Sequence, residues 1–380
     1  MNDFLTNNNI KILHLIKSLG RGGAETLLVE TAKIHDRRQF ELHVVFFLPW
    51  KDQLVEPLQH AGVTVLNIPA TNNFQIIRKF KEVEQYIKLH QIDLIHSHLP
   101  SAGFLGRWIH HRTGIPVIYT EHNKQERYHF LTRLVNRLSF NFQSQTIAVS
   151  DDVKLSILKN IEVDIPVNTI SNGVNTSIYF NDAVVGNSLR KSLSINEDSV
   201  VVGTLAVFRK QKCLLNWLDV FASLYAANNN LRGILVGDGP LREVLAAHRD
   251  SLGLADVVLM PGLQTNAADW YNVMDVFMIT SEFEGLPLAL LESMASEKPV
   301  VSTLAGGIGE VVCHGETGFL VPFGDWEGLK KYAHLLVNDR LLRETMGSKG
   351  RSRIIEGFSL SQMVSSLESI YAKHVDAKSH

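Results

Sequence analysis

Two cysteines among 380 residues, Cys213 and Cys313, are too few for a disulfide scaffold, and neither sits in a Cys-x-x-Cys pair that would suggest zinc. Long apolar runs are equally scarce. The most apolar helix candidate, Cys213 to Ala227, is interrupted by Asn216, Asp219 and Ser223. No stretch reaches the roughly 18 unbroken apolar residues of a membrane span. The opening MNDFLTNNNIK has no basic region before an apolar core, so no signal peptide is expected. With 37 basic and 39 acidic side chains the net charge is −2, and no basic field points to nucleic acid. The GxxxxGK[ST] phosphate loop is missing as well. A soluble, cytoplasmic protein is the expectation.

What is present is a repeated rhythm. At roughly 150 residues per domain the length suggests two domains, each long enough for its own core. Short β-rich runs, several apolar throughout like HVVFFL, alternate with helix-length segments. Strands are expected at Lys11–Ile16, Glu41–Leu48, Val63–Ile68, Asp93–His98, Pro116–Thr120, Gln145–Ser150 and Asn168–Ser171. The second half continues with Val200–Val207, Ile234–Gly237, Val257–Met260, Val276–Thr280 and Val300–Thr303. Continuous apolar strands are buried on both faces, and the alternation implies parallel sheets with right-handed crossovers. The expected class is α/β, two doubly wound Rossmann-like domains facing a cleft. Helices are expected at Phe74–His90 and Ser101–Thr113. Tyr179–Glu197, polar and rich in Asn and Ser, is the weakest β/α signal, which places the junction near 180: residues 1–180, then 181–357.

Binding sites in such sheets form at the loops leaving the carboxyl ends of strands. Gly20-Arg21-Gly22-Gly23-Ala24-Glu25 follows the first strand and opens a helix, where backbone N–H groups can face an anion; an ordinary tight turn is the competing account. Gly237-Asp238-Gly239-Pro240 stands in the equivalent place in the second half, with Arg242 where a dinucleotide fingerprint needs its third glycine. Gly306-Gly307-Ile308-Gly309-Glu310 is a further loop of this kind. The sharpest signal is Ser281 to Glu292, SEFEGLPLALLE. There a strand ends in an acidic loop and a helix starts near Pro287, with Glu284 in the loop and Glu292 about a turn and a half into the helix. The helix start suits a pyrophosphate and the carboxylates suit sugar hydroxyls. Arg209, Lys210 and Lys212 follow another strand end and could neutralise a diphosphate. His96 and His98 share one face of a strand, but no third metal ligand is evident from spacing. His122, just past a strand end, is the better active-site candidate.

Together these motifs resemble glycosyltransferase family 4, retaining enzymes of the GT-B fold, from Ile10 to about Lys373. The resemblance rests on GGAE at 22–25, DLIHSH at 93–98, EHN at 121–123, ISNGVN at 170–175, VGDGP at 236–240 and MPG at 260–262. The Glu284/Glu292 motif, GGIGE and GETGFLVP at 315–322 complete it. It implies that a nucleotide diphosphate-sugar binds mainly to the second domain. Glu292 then meets the ribose and Glu284 the sugar, backbone at Gly285, Leu286, Pro287 and Leu288 together with Gly22 and Gly23 surrounds phosphates and sugar, and Met260, Gly262 and Leu263 meet the base. His122 matches the histidine lying against the donor sugar, so His122, Glu284 and Lys212 are the expected catalytic set. Segment 358–380 is expected to pack back on the first domain. The family's Gly-Arg-Leu-x3-Lys-Gly pattern departs here: Lys212 matches the lysine, but Val207 stands at the arginine position, with Arg209 or Lys210 as substitutes.

The implied reaction is retaining transfer of a sugar, with UDP as the preferred nucleotide, to a hydroxyl of a glycan or lipid-linked acceptor in bacterial surface polysaccharide assembly. Asp-x-Asp, which commonly holds a donor diphosphate through a metal, is absent from the sequence, so metal independence is expected and no cofactor is assigned. Residues 127–140 carry an apolar helical stripe with three arginines, suited to peripheral contact with an anionic membrane; a core-facing helix with a solvated basic side is the competing account. A sugar-nucleotide 2-epimerase on the same plan and a non-catalytic donor-binding scaffold are the alternatives.

Overall fold

The β-branched and apolar runs pair into two wholly parallel sheets. In the computed structural model residues 9–376 are described. The first sheet takes β1 (Ile10–Ile16), β2 (Phe40–Phe46), β3 (Thr64–Asn67), β4 (Leu94–His98), β5 (Val117–Glu121), β6 (Gln145–Ala148) and β7 (Val167–Thr169). The second takes β8 (Val200–Leu205), β9 (Leu231–Val236), β10 (Val258–Gly262), β11 (Val276–Ile279), β12 (Val300–Thr303) and β13 (Gly318–Val321). Strand order is β3-β2-β1-β4-β5-β6-β7 in one and β10-β9-β8-β11-β12-β13 in the other. Each sheet therefore reverses its winding direction once, between β1 and β4 and between β8 and β11, and a crevice opens at the carboxyl ends there.

Two compact units result, residues 9–172 with 360–376, and 173–359. The first has apolar cores on both faces of its sheet, one around Ile12, Val44 and Leu94, the other around Leu13, Val45 and Ile95. Successive residues of one strand thus serve opposite cores, which is why these strands read as unbroken apolar runs. The second unit packs Trp217 and Phe221, stacked at 5.4 Å, against Leu235, Met278 and Leu336.

The last helix, Leu360–Asp376, belongs to the first unit. Leu360, Met363, Val364, Leu367 and Tyr371 form one buried helical face and join the core of Ile12 and Leu94.

Three elements differ from the sequence expectation. Phe74–His90 is two helices, Asn73–Arg78 and Phe80–His90, because Lys79 departs from helical geometry at φ −78°, ψ 15°. The polar stretch 179–197 holds a helix, Ala183–Ser192, capped by Asp182 and anchored by Arg190 to Asp275 and the Val273 carbonyl. It is part of the second unit, and the units divide at 172/173. Strand β13 was not anticipated; only four residues long, it starts at a glycine that packs on the Val300 carbonyl.

Candidate active site

The C-terminal unit gathers its chemistry at the ends of β8 and β11. The loop after β8 and the loop after β11 are stitched together: the Glu282 amide donates to the Gln211 carbonyl at 2.8 Å, and the Thr280 hydroxyl donates to the Lys212 carbonyl at 2.8 Å. This brings the Lys212 ammonium 2.5 Å from Glu284 Oε1, which also accepts from the Ser281 hydroxyl at 2.6 Å. A small cavity of about 20 Å³ lies among Ala206, Lys212, Thr280, Glu284 and Pro287. The turn after β12 supports the same loop. The Gly307 amide donates to the Gly285 carbonyl at 2.7 Å, and Gly306, at φ +60°, lies so close that an added Cβ would stand 2.0 Å from the Glu284 carbonyl oxygen.

Pro287 caps the helix Leu288–Ala295, so its first amides face the loop carrying Glu284, Gly285 and Leu286. Glu292, the fifth residue of this helix, is buried and accepts from the Tyr271 hydroxyl at 2.7 Å. Arg209 is exposed where the 3-10 turn begins. Cys213 closes that turn with φ +48°, at the position where the family pattern has glycine. In β10 the pairing shifts register between Leu259 and Gly262, which takes Met260 out of the regular ladder. The Met260 carbonyl accepts from Arg242 and the Gly262 carbonyl from the Gly237 amide, while Leu263 is exposed.

In the N-terminal unit the corresponding crevice is lined by histidine. Parallel pairing sets His14 of β1 beside His96 of β4, and the two-residue period puts His98 on the same face. His14 Nδ1 lies 3.0 Å from His98 Nε2, and His98 Nδ1 lies 3.5 Å from His122 Nε2. His96 has both nitrogens engaged, Nδ1 with the Tyr371 hydroxyl and Nε2 with the Thr120 hydroxyl, each at 2.6 Å. Among the described residues His14, His96 and His98 form a group whose ligand atoms fall within 4.8 Å of one another. Ring-to-ring and hydroxyl bonds engage every nitrogen of the three except His14 Nε2, the arrangement of a hydrogen-bonded network. Burial drives these imidazoles toward the neutral form: the pKa falls to about 3 for His14 and about 4 for His122. A cavity of about 40 Å³ beside them has mostly apolar walls, including Leu27, Leu28, Met363 and Leu367.

The His122 loop is held from below by Glu121, a buried carboxylate that accepts from the Tyr119, Tyr128 and Gln125 side chains and from the Asn123 amide. Its pKa is raised by burial, against the effect of those donors. Gly23, first residue of the helix Gly23–Ile34, would meet nothing within 4 Å among the described residues if given a Cβ, so their packing does not demand glycine there. Gly22 precedes it as the N-cap.

Two family profiles match the chain. "Glycosyltransferase Family 4" covers residues 21–178, and "Glycosyl transferases group 1" covers residues 187–353. The chain belongs to the family 4, group 1 glycosyltransferases. Its fold is GT-B, and the Anabaena protein HepE, in a crystal structure with UDP and glucose, superposes with a TM-score of 0.87 at 23% identity, over 96% of this chain and 100% of that one. Among curated relatives, the N-acetyl-alpha-D-glucosaminyl L-malate synthase of Bacillus anthracis is 30% identical over 240 residues. That match takes in 63% of this chain and 62% of the relative, just under two thirds of its length. The UDP-Gal:alpha-D-GlcNAc-diphosphoundecaprenol alpha-1,3-galactosyltransferase of Escherichia coli is 23% identical over 96% of this chain and 97% of its own.

The glycosyltransferase also has an inverted helix. In Phe130–Ser139 the buried residue is a polar one, Asn136, which donates to Gln125 and accepts from the buried Arg107 guanidinium. The apolar side chains point outward, with Phe130 67% and Leu138 72% exposed and Leu131, Leu134 and Val135 also exposed. A core-facing apolar stripe is therefore excluded for this helix. Among the described residues no helix is long and apolar enough to cross a membrane.

Lys212, Glu284 and His122 stood out in the sequence, Ser281 only as the first residue of its motif, but Tyr271, His14 and Tyr371 did not. Their partners lie 21, 84 and 275 residues away, so local spacing carried no signal of them.

Proposed function

We propose that the enzyme moves a sugar, with retention of anomeric configuration, from a UDP-sugar to a hydroxyl of a lipid-linked or polysaccharide glycan in bacterial surface polysaccharide assembly. The carrying observation is the meeting of Lys212, Ser281 and Glu284 at the β8/β11 crevice, beside the helix start at Pro287. UDP is favoured by the ligand of HepE and the donor of the Escherichia coli relative, and a lipid-linked acceptor by that relative's diphosphoundecaprenol substrate.

In this reading Glu292 accepts from the ribose and Glu284 from the sugar, while the backbone N–H groups of Gly285, Leu286, Leu288 and Gly23 donate to phosphate and sugar oxygens, with Pro287 holding the turn between them. Met260, Gly262 and Leu263 flank the base. The bond between the anomeric carbon and the diphosphate oxygen breaks, and the acceptor oxygen bonds to the same face. The acceptor proton passes to the departing diphosphate, so the products are UDP and the new glycoside. Lys212 and Arg209 stabilise the charge growing on the diphosphate. His122 lies against the donor sugar, and no divalent metal takes part.

The exposed apolar face of Phe130–Ser139, with Arg127, Arg133 and Arg137 close by, is the surface that rests peripherally on an anionic bilayer on its cytoplasmic side. Flotation with phosphatidylglycerol vesicles that persists in the Leu134→Glu/Leu138→Glu variant would refute this contact.

The donor assignment is tested by thermal shift and diphosphate release across UDP-, GDP- and ADP-sugars, with EDTA present and Glu292→Ala as control. Stabilisation by a UDP-sugar, lost in Glu292→Ala, is expected. A sugar isomer formed without acceptor would turn the reading to an epimerase, and binding without turnover to a scaffold.

A further inference from the structure

The three imidazoles His14, His98 and His122 form an end-to-end series, Nδ1 of His14 to Nε2 of His98, then Nδ1 of His98 to Nε2 of His122. We propose that His14 and His98 are positioning residues that hold the neutral His122 ring as its Nδ1–H tautomer, so that its remaining nitrogen offers a hydrogen-bond donor.

The tautomers follow from the number of protons the three rings carry. A neutral imidazole carries one N–H and one acceptor nitrogen. Only two proton arrangements satisfy both bonds of the series. In the first, His14 Nδ1–H donates to His98, His98 Nδ1–H donates to His122 Nε2, and His122 is left with Nδ1–H. In the second every proton is reversed, and His14 keeps its proton on Nε2. His14 Nε2 is buried and has no hydrogen-bond partner among the described residues. The second arrangement therefore leaves an unpaired N–H in the interior, whereas the first leaves only a lone pair, and orphaned donors are the rarer and costlier case. His96 does not enter the series, because Tyr371 and Thr120 take its two nitrogens.

The orphaned nitrogen of His14 thus decides which proton His122 carries, across an intervening ring. The consequence rests on the proposed placement of His122 against the donor sugar. There the Nδ1–H donates to a sugar oxygen and cannot serve as the base for the acceptor hydroxyl. The tautomer itself does not depend on that placement.

Two-bond 1H–15N correlation spectra of the full chain with 15N-labelled histidine, at pH 7.5, read each tautomer directly, with the His122 signals assigned by their loss in His122→Gln. Wild-type His122 is expected as Nδ1–H. His98→Phe removes the donor to His122 Nε2, and His122 should shift toward the Nε2–H form. His14→Phe leaves His98 Nε2 facing carbon, where a bare lone pair again costs less than an orphaned N–H, so His122 should stay Nδ1–H. His14→Asp puts an acceptor where the Nδ1–H stood, and should turn both His98 and His122 to their Nε2–H forms. Melting temperatures near wild type establish that each variant is folded. Wild-type His122 found as Nε2–H, or a His122 spectrum unmoved by His98→Phe or by a folded His14→Asp, would overturn the proposal. A shifted tautomer with unchanged kcat and donor KM would leave the tautomer control standing and remove the sugar contact.

Discussion

The Lys212 ammonium and the Glu284 carboxylate lie 2.5 Å apart, joining residues separated by 72 positions through the loops that follow β8 and β11. The pair joins one expected catalytic cation to one expected sugar-binding acid. A departing diphosphate would compete with Glu284 for that cation, which couples leaving-group stabilisation to the position of the acidic loop.

Lys212→Met should therefore lower kcat by about 100-fold or more, the scale for losing one charge-stabilising donor. Steady-state kinetics at saturating UDP-sugar measure this, and a variant that changed only KM would show the cation to be a binding group alone.

Glu292 and Tyr271 form a second such pair, with the phenol donating at 2.7 Å. Tyr271→Phe should destabilise the fold by about 1 kcal/mol, the usual net worth of one hydrogen bond. UDP-sugar affinity should weaken less than in Glu292→Ala. Urea unfolding and donor titration of both variants separate the two effects.

Gly306→Ala should remove UDP-sugar binding and cost about 2–3 kcal/mol of stability, because φ is +60° and the new Cβ would press on the Glu284 carbonyl oxygen. Isothermal titration with UDP-sugar and thermal unfolding test it; a well-folded variant that binds normally would show that the loop tolerates displacement.

Cys213 sits at φ +48°, a left-handed conformation that disfavours side chains other than glycine. Cys213→Gly should raise unfolding stability by about 0.5–1 kcal/mol. Equal or lower stability in denaturant melts would show that the thiol contacts to the Lys210 and Gln211 carbonyls outweigh the strain.

Acid should destabilise the protein well before its carboxylates titrate. His14 and His122 have folded pKa values of about 3 and about 4, against a reference of 6.5. Between those values the unfolded chain binds more protons, so stability is full above pH 6.5 and falls as pH drops below it. Each group adds a slope of up to about 1.4 kcal/mol per pH unit. Melting temperatures from pH 7.5 to 5 check this, and a flat profile would contradict the burial of neutral imidazoles.

Central strands such as β2 could be found in the sequence because a strand covered on both faces is mostly apolar along its length, as HVVFFL is, while the half-exposed edge strands β3 and β7 were legible from the β/α alternation around them. Strand β13 escaped because four residues beginning with glycine resemble the turn before them. The break at Lys79 escaped because both helices share one apolar periodicity. The loop motifs were visible since each joins a strand end to a helix start, which is a local pattern.

The sequence by itself determined the α/β alternation, the loops at which chemistry had to lie, and most of the residue types placed there. These are short-range properties, settled by periodicity, glycine and capping within a dozen residues. Tertiary structure alone decided which of those residues meet. Parallel pairing puts His14 beside His96, 82 positions away, and the returning last helix puts Tyr371 on His96. It also turned the apolar face of Phe130–Ser139 outward and placed Asn136 inside, where it accepts from the buried Arg107. Such partnerships depend on register and packing between distant segments, to which local spacing is blind.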